Sequence, residues 1–342
     1  MDILTLGEFL IDMFPGKVGQ RMGQVESFHP KPGGAPANVA VAARRLGVET
    51  AFIGKVGDDL FGHFLEGVLA EEGVETRGLR FDPEARTTMA IIAMPDENSA
   101  EFVFYRNPGA DQRLRPDELD QGLIQQARAF HFGSLSLTDE PARSATYEAV
   151  RIAHQAGALI SYDINYRPSL WKDPRQALEQ AMEMLPKVDL LKVNEGELAL
   201  LTRQDRIDPT DVKSLEQAAS DLLNKGPQLV VVTLGKDGSY FQIEAGGEYI
   251  PAFKVETIDA IGCGDAFVAG LLTQLVKRGN WLEELTVDQL RQILRYANAV
   301  GALTSLKRGV IPALPTSGEI EAFLEKFDTD RGDNERHGNP DD

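Results

Sequence analysis

The amino-acid sequence predicts an α/β protein in which a mostly parallel sheet carries helices on both faces and a small second β-sheet stands apart. Three observations support this. The 342 residues suit one large domain with a small accessory part. From about residue 116 onward, short apolar runs alternate with amphipathic segments, the pattern of a parallel sheet. Between residues 87 and 106, two strand-like runs follow each other with no helix between them.

The first part of the chain contributes strands and helices to the main sheet. Strands are predicted at Ile3–Leu6 and Ala51–Val56. A helix is predicted from Pro36 to Leu46, because proline near the start and Gly47 just after the end are typical of helix boundaries. A second helix is expected from about residue 59, where an aspartate can cap it, to residue 72.

The runs Thr87–Ala93 and Glu101–Arg106 predict the small sheet. A polar turn containing Pro95, Asp96 and Asn98 joins them, so the two strands are expected to be antiparallel. Part of residues 11–32 is expected to complete this sheet. The predicted division is therefore a core of residues 1–10, 33–86 and 108–327, and a small β unit of residues 11–32 and 87–107.

The second half of the chain supplies the regular alternation. Its predicted strands are Ala129–Gly133, Ala158–Asp163, Leu190–Val193 and Leu229–Thr233, and its predicted helices include Pro141–Gln155, Pro174–Leu185 and Leu215–Asn224. Polar residues end these strands, at the edge where open α/β sheets bind ligands. Residues 328–342 are charged and almost free of apolar side chains, so a disordered acidic tail is expected.

Composition narrows the possible partners and the compartment. A formal charge of −18 argues against nucleic acid and anionic membranes as partners, because like charges repel. One cysteine, Cys263, excludes an intramolecular disulfide and fits a reducing compartment. The first residues show no signal peptide, and no apolar run reaches the roughly 18 residues of a membrane span. A cytoplasmic location is expected.

The segment from Asp259 to Leu272 is the first candidate for chemistry. Gly262 and Gly264 permit a tight turn before a helix-compatible run, and the free amides and positive dipole end of a helix N-terminus attract anions. Such amides can stabilise the charge of a phosphoryl group in transfer. Asp265 beside them is placed to accept a proton from an attacking hydroxyl. The alternative is that Asp265 only caps the helix.

A second candidate is Gly33-Gly-Ala-Pro-Ala-Asn38, which lies just before a predicted helix. Its glycines allow a polyol to approach the backbone, and the amide of Asn38 both donates to and accepts from hydroxyls. The alternative is an ordinary loop with Asn38 on its surface.

Two further segments carry weaker signals. Thr233-Leu-Gly-Lys-Asp-Gly238 is either a nucleotide-contacting turn or a plain hairpin loop. The pattern of a P-loop occurs nowhere in the chain. Asn194-Glu-Gly-Glu197 begins a helix; its carboxylates either serve the helix dipole or position Mg²⁺ through water, since Mg²⁺ prefers oxygen ligands and keeps several waters.

In this order, these segments resemble the signatures of the ribokinase-like (pfkB-type) carbohydrate kinases. One signature matches Gly33–Asn38 with Gly47 and Gly57 at the expected intervals, and the other matches Asp259–Leu272; the resemblance covers about residues 1–325. It implies a three-layer α/β/α core and a small β lid that closes over the sugar. It also implies transfer of the ATP γ-phosphoryl group to a sugar hydroxyl, with Mg²⁺ required and K⁺ often activating, and a possible homodimer through the lid.

Within that family, Phe104–Asp111, Ser161–Arg167 and Gly309–Pro315 resemble segments of fructokinases. The resemblance implies conversion of ATP and D-fructose to ADP and D-fructose 6-phosphate. One alternative is a 2-keto-3-deoxygluconate kinase, whose substrate carboxylate needs a cation such as Arg106 or Arg167. Another, from a different functional class, is a sugar or nucleotide sensor that has lost catalysis.

The resemblance also implies a role for each matching residue. The base is Asp265, and the anion hole consists of the amides of Gly262, Cys263, Gly264 and Asp265 itself. The sugar contacts are Asp12, Gly33, Gly34, Asn38, Arg167 and, from the lid, Tyr105 and Arg106. The nucleotide side comprises Asn194, Thr233, Gly235, Gly238 and Asn298, with Glu197 as a water-mediated Mg²⁺ contact and Asp259 at a monovalent-cation site. Arg106 is alternatively a solvated strand-end residue, and Arg167 a salt-bridge partner at a helix entry.

The chain departs from the family pattern at three positions. Many relatives have Asp-Thr-Thr-Gly-Ala-Gly-Asp where this chain has Ala260, Ile261 and Cys263. The anion hole does not depend on these side chains, but the cation site near Asp259 loses the threonine hydroxyls. Cys263, at a helix N-terminus, is either a passive small residue or a thiol of lowered pKa that is sensitive to oxidation.

Overall fold

A nine-stranded sheet forms the centre of the computed structural model, which describes residues 1–96, 99–279 and 282–337. In spatial order its strands are β13 (Gly246–Pro251), β12 (Gly238–Ile243), β11 (Leu229–Thr233), β10 (Leu190–Asn194), β9 (Leu159–Asp163), β8 (Ala129–Gly133), β1 (Ile3–Leu6), β4 (Thr50–Gly57) and β5 (Glu75–Asp82). Neighbours from β11 to β5 are parallel, and β11, β12 and β13 pair antiparallel. The mostly parallel sheet predicted from the sequence is confirmed.

Helices cover both faces of this sheet and bury its central strands on each side. The helices are α1 (Ala35–Arg45), α2 (Leu60–Glu71), α3 (Gln121–Gln125), α4 (Ala142–Gln155), α5 (Pro174–Met184), α6 (Glu195–Thr202), α7 (Val212–Leu223), α8 (Cys263–Arg278), α9 (Val287–Thr304) and α10 (Ser317–His337). The core accordingly falls into two apolar clusters. One contains residues of α1, α2, α8 and α9, and the other contains residues of α3 to α7. This is the three-layer α/β/α arrangement.

The second sheet has four strands in the order β3 (Phe28–Gly33), β2 (Leu10–Pro15), β6 (Met89–Asp96) and β7 (Ser99–Tyr105). The predicted antiparallel pairing of β6 with β7 is confirmed, and its register places Phe104 opposite Ala90 and Phe102 opposite Ile92. β2 pairs antiparallel with β3 and parallel with β6. Asn98, assigned to the turn between β6 and β7, lies outside the described residues.

The final helix differs from the expected disordered tail, because α10 continues to His337. Its first half is anchored by packing: the rings of Phe323 and Phe327 lie 5.1 and 5.0 Å from that of Phe253. Arg295 also pairs with Asp328 at 2.6 Å. Tertiary packing of this kind, rather than helix propensity, stabilises the helix. Residues 338–342 lie outside the described part of the chain.

Among the described helices, we find none with the length and apolar character required to cross a membrane.

Candidate active site

A cavity of about 1190 Å³ lies between the two sheets. The main sheet contributes residues at or just after the carboxyl ends of its parallel strands, as open α/β folds do. These include Glu8 after β1, Asn165 and Arg167 after β9, Asn194 in β10 and Thr233 in β11. The cavity therefore lies where polar strand ends were noted in the sequence.

The N-terminus of α8 faces this cavity. Gly262 is the N-cap residue with φ of 79°, and a Cβ atom there would lie 2.4 Å from the Val310 side chain, so only glycine fits. Within the described part of the chain, no residue accepts a hydrogen bond from the amides of Gly264 and Asp265. Free amides at the positive end of a helix of this length suit a phosphoryl oxygen.

Asp265 is the third residue of α8 and lines the cavity. It is not the helix cap, since that position belongs to Gly262. The side-chain amide of Asn38 donates a hydrogen bond of 2.8 Å to Asp265 Oδ2. Burial raises the pKa of Asp265 to about 6, against the lowering effect of the Asn38 hydrogen bond, and Asp163 raises it further. The carboxylate is thus ionised at neutral pH and is still basic enough to take a proton.

Asn38 is oriented by Asp265 and has a free acceptor. Its Oδ1 atom is buried, and no described residue donates a hydrogen bond to it. A buried polar atom without a partner costs free energy, so this oxygen favours a ligand with a hydroxyl group. The structure therefore excludes the alternative of a surface asparagine.

The carboxylate of Asp12, in β2, lines the same cavity as Asn38 and Asp265. A Cβ atom on Gly33 would lie 2.0 Å from Asp12 Oδ2, which explains glycine at that position. Gly34, the N-cap of α1, has φ of 118°, and a Cβ atom there would lie 2.4 Å from the Glu8 carbonyl oxygen. Burial raises the pKa of Asp12 to about 7; Asp265 adds to this shift and Arg167 opposes it. The cavity is lined by Asp12, Gly34, Asn38 and Arg167. Gly33 does not line it but packs against the Asp12 side chain.

Lys192 and Asp163 form a buried ion pair that sequence reasoning missed. Lys192 Nζ lies 3.0 Å from Asp163 Oδ2, and both side chains are less than a tenth exposed. Burial opposes the charge of Lys192, but Asp163 and Glu197 outweigh it and raise its pKa. A Cβ atom on Gly264 would lie 3.5 Å from this ammonium, so a permanent positive charge stands beside the α8 amides. The available signal was a lysine inside the apolar run Leu190–Val193.

The five residues assigned to nucleotide binding line the cavity, and their role stays a prediction. Asn194, Thr233, Gly235, Gly238 and Asn298 all line the wall. The segment from residue 233 to 238 joins the antiparallel strands β11 and β12, so it is a hairpin loop as well as a wall of the cavity. Asn298 donates from its amide to the carbonyl of Ile250 at 3.2 Å, which holds it in place.

Asn194 and Glu197 form a capping box at the start of α6. Each accepts a hydrogen bond of 2.8 Å from the backbone amide of the other, and Glu197 also accepts one from Tyr166 N. The helix-capping alternative therefore describes their hydrogen bonds, although both residues still line the cavity.

The donor set suits a divalent ion that is bound mainly by phosphate and water. Among the described residues, no group of three His, Cys, Asp or Glu side chains forms a metal cage. Both Glu197 oxygens already accept backbone amides, which leaves contact through water, and exposed Glu195 offers a second carboxylate at the wall. Mg²⁺ commonly binds in this way.

Asp259 connects two loops behind the nucleotide side. Its carboxylate accepts hydrogen bonds from Ile261 N at 3.0 Å and Gly309 N at 3.1 Å. The residue is not among those that line the cavity, and its role at a monovalent-cation site stays a prediction.

Arg106 and Tyr105 do not lie where they were expected. Arg106 is buried; its guanidinium donates to Asp111 at 2.7 Å, to Thr138 and to the Leu135 carbonyl. It does not line the cavity, and its burial shows that the interpretation as a solvated strand-end residue was wrong. A contact of Arg106 with the sugar stays a prediction.

Tyr105 is 59% exposed and points away from the cavity. Residues of a strand alternate between faces, so the cavity side of β7 carries Phe102 and Phe104 instead. Both line the cavity, and their rings stack 6.3 Å apart.

Cys263, the first residue of α8, has a thiol that resists ionisation. Burial, reinforced by Asp259 and Asp265, raises the pKa of its thiol to about 12. The interpretation as a thiol of lowered pKa is wrong, because burial and, to a smaller extent, the two carboxylates disfavour the thiolate.

Known proteins of similar sequence and the same fold are carbohydrate kinases. The profile of the pfkB family carbohydrate kinases matches residues 1–317. The chain is 44% identical over 322 residues to probable fructokinase-2 of Arabidopsis thaliana, covering 94% of this chain and 95% of that one. A fructokinase of Xylella fastidiosa with bound ATP is 32% identical and superposes with a TM-score of 0.85, covering 96% and 99% of the two chains.

A fructokinase double mutant of Vibrio cholerae O395, bound to fructose, ADP and potassium ion, is also 32% identical. It superposes with a TM-score of 0.81 and covers 95% of this chain and 98% of that one.

Proposed function

The chain belongs to the pfkB family of carbohydrate kinases, and we propose that its sugar substrate is D-fructose, which it converts with ATP to D-fructose 6-phosphate and ADP. The observation that carries the proposal is Asp265, held by Asn38 in the cavity wall beside the free amides of α8. The similarity to fructokinases along almost the whole chain supports fructose as the sugar.

In the proposed reaction, the sugar hydroxyl attacks the γ-phosphorus of ATP in line. A new oxygen–phosphorus bond forms, the bond to the β-phosphate oxygen breaks, and the proton of the hydroxyl passes to Asp265. The backbone amides of Gly264 and Asp265 donate hydrogen bonds to the phosphoryl oxygens, and Lys192 adds a fixed positive charge close to these amides. Such preorganised donors contribute most where charge develops.

The charges at the sugar end favour a neutral sugar over a sugar acid. Glu8, Asp12 and Asp265 place three carboxyl groups in the wall. Arg106, the cation that a ketodeoxygluconate carboxylate would need, is bound to Asp111 instead. Arg167 and Lys192 also lie near this end of the cavity, but Arg167 already offsets Asp12 and Asp265, and Lys192 is paired with Asp163. A substrate carboxylate would meet repulsion here, whereas hydroxyls would find acceptors.

The proposed cofactors are Mg²⁺ bound to the ATP phosphates and K⁺ near Asp259. Mg²⁺ supplies positive charge that neutralises the phosphates, and Glu197 and Glu195 would hold its water ligands. The K⁺ site is supported by the carboxylate of Asp259, which bridges the two loops behind the α8 amides. Ala260 and Ile261 lack side-chain oxygens, so K⁺ would rely on backbone carbonyls there.

We also infer a homodimer through the lid and a cytoplasmic location. The lid offers an edge strand, β7, whose outer residues Val103 and Tyr105 are 46% and 59% exposed. Light scattering on the purified protein tests the dimer. The cytoplasm is favoured by the use of ATP and by the single unpaired thiol.

Initial rates with MgATP and either fructose, ketodeoxygluconate or ribose test the function. Fructose is expected to give the highest kcat/KM. Negligible turnover of fructose with good turnover of ketodeoxygluconate would replace the proposal by the sugar-acid kinase. No turnover of any sugar, with binding retained, would favour the sensor.

A further inference from the structure

Glu8 is a buried carboxyl group in the cavity wall that the proposed reaction leaves without a role. It lies in the short turn between β1, a central strand of the main sheet, and β2 of the lid. Only 3% of the residue is exposed, yet it lines the cavity near Leu10, Asp12 and Asn38. No motif singled out in the sequence includes it.

Its two carboxyl oxygens have different surroundings. Oε1 accepts a hydrogen bond of 3.1 Å from the backbone amide of Ala35, at the start of α1. Oε2 is buried, and no described residue donates to it. The carboxyl cannot easily withdraw, because Gly34 packs against the Glu8 carbonyl so closely that a Cβ atom would lie 2.4 Å from it.

The neighbouring charges do not satisfy the free oxygen. Burial raises the pKa of Glu8 to about 7, against the lowering effects of backbone hydrogen bonds and of the Arg106 charge, and Asp111 raises it further. The guanidinium of Arg106 makes its hydrogen bonds to Asp111, Thr138 and Leu135. A buried carboxyl oxygen without a donor is costly, and a ligand hydroxyl in the cavity would remove that cost.

We propose that Glu8 is a substrate-binding residue whose Oε2 accepts a hydrogen bond from a sugar hydroxyl other than the one that is phosphorylated. Ala35 fixes the carboxyl through Oε1, so Oε2 presents a rigid acceptor at the sugar end of the cavity. This contact adds to those of Asp12 and Asn38 and selects for a hydroxyl at one ring position. The inference rests on the proposed sugar kinase function and names a specificity contact within that site.

The variant Glu8→Gln tests the contact, because its amide oxygen keeps the bond to Ala35 while an NH₂ group replaces Oε2. At pH 8, above the pKa of Glu8, the KM for fructose should rise about 10-fold, the scale of one hydrogen bond to a charged group. The kcat should change less than about 3-fold. Glu118→Gln is the matched control, because Glu118 pairs with Lys55 away from the cavity; its kinetic constants should match the wild type.

Sugars that lack one hydroxyl identify the partner of Oε2. We expect the wild type to lose about 10-fold in kcat/KM on one of 1-, 3- and 4-deoxyfructose, and Glu8→Gln to lose nothing further on that sugar. Equal losses for the two enzymes on every analogue would overturn the proposal. So would a Glu8→Gln enzyme with unchanged KM, or one in which only kcat falls. If Glu8→Gln does not fold, Glu8→Asp withdraws the oxygen and is judged by the same criteria.

Failure of the proposed function gives a different result. A wild type that does not use fructose contradicts the fructokinase assignment and says nothing against Glu8. The same variants and deoxy analogues are then compared on whichever sugar gives the highest wild-type kcat/KM.

Discussion

The floor and the roof of the cavity differ in chemistry. The floor, which we define as Asn38, Asp163, Lys192 and the first turn of α8, is polar and charged, and its groups are held by hydrogen bonds and an ion pair. The roof, which we define as Leu10, Ile92, Phe102 and Phe104 of the lid, is apolar. The floor is therefore expected to carry the phosphoryl transfer, and the roof to hold the sugar and exclude water.

The largest expected effect comes from removing the base in the floor. Asp265→Asn should lower kcat about 10²-fold or more, the scale of a positioned general base, while sugar binding is largely kept. Steady-state kinetics and calorimetric titration with fructose separate these effects. The matched control is Asp288→Asn, the same change in the first turn of α9, where activity should be unchanged. An Asp265→Asn enzyme with unchanged turnover would contradict the assignment of the floor.

The next effect concerns the buried cation of the floor. Lys192→Met leaves Asp163 buried and unpaired, which should cost about 3–5 kcal/mol of stability, and it should also reduce kcat about 10-fold or more. Thermal unfolding and steady-state rates measure the two losses.

The double variant Asp163→Asn/Lys192→Met separates stability from catalysis. It should regain most of the stability but not the rate. Recovery of kcat together with Tm would show that Lys192 acts only on the fold.

A smaller effect is expected from the roof, and it should differ in kind. Phe104→Ala should raise the KM for fructose several-fold and increase ATP hydrolysis in the absence of sugar, because an incomplete lid admits water. Tyr105→Ala changes the neighbouring residue on the outer face and should leave both values unchanged. Coupled assays of ADP release with and without fructose measure the difference. Equal effects of the two substitutions would remove the distinction between the two faces of β7.

The smallest expected effect is a pH dependence of protein stability that arises from the buried carboxyl group of Asp12. The pKa of Asp12 rises from 3.8 to about 7 on folding, so the folded state holds this proton more tightly than the unfolded state. Stability is therefore lost as pH rises from about 4 to about 7. Asp12→Asn should raise Tm by a few degrees at pH 8 and leave it unchanged at pH 4. Calorimetry at these two pH values tests the sign, and a lower Tm at pH 8 would contradict it.

Backbone signals in the sequence predicted the floor better than the roof. Gly262 and Gly34 have positive φ values, and Gly33 packs against the Asp12 side chain without room for a Cβ atom. Because each of these positions requires glycine, the sequence shows them as a pattern of glycines. The parallel strands also follow from alternation along the chain. The motifs of the floor were therefore found, including Asp265 and Asn38.

The partners of buried side chains could not be predicted in the same way. Arg106 is bound by Asp111 and Thr138, and a pattern of residue types does not show such an ion pair. Lys192 looked like part of an apolar strand, and Glu8 like part of a turn. The exposed position of Tyr105 was predictable in principle, because successive residues of a strand point to opposite faces of the sheet and Tyr105 follows Phe104.

A crystal structure with fructose and a nonhydrolysable ATP analogue would show directly whether Asp265 is the base and the α8 N-terminus binds the γ-phosphate. We expect the 6-hydroxyl oxygen to lie about 2.6–3.2 Å from an Asp265 carboxylate oxygen, with the γ-phosphate against the amides of Gly264 and Asp265. A different hydroxyl nearest to Asp265, or a γ-phosphate bound away from the α8 N-terminus, would contradict it.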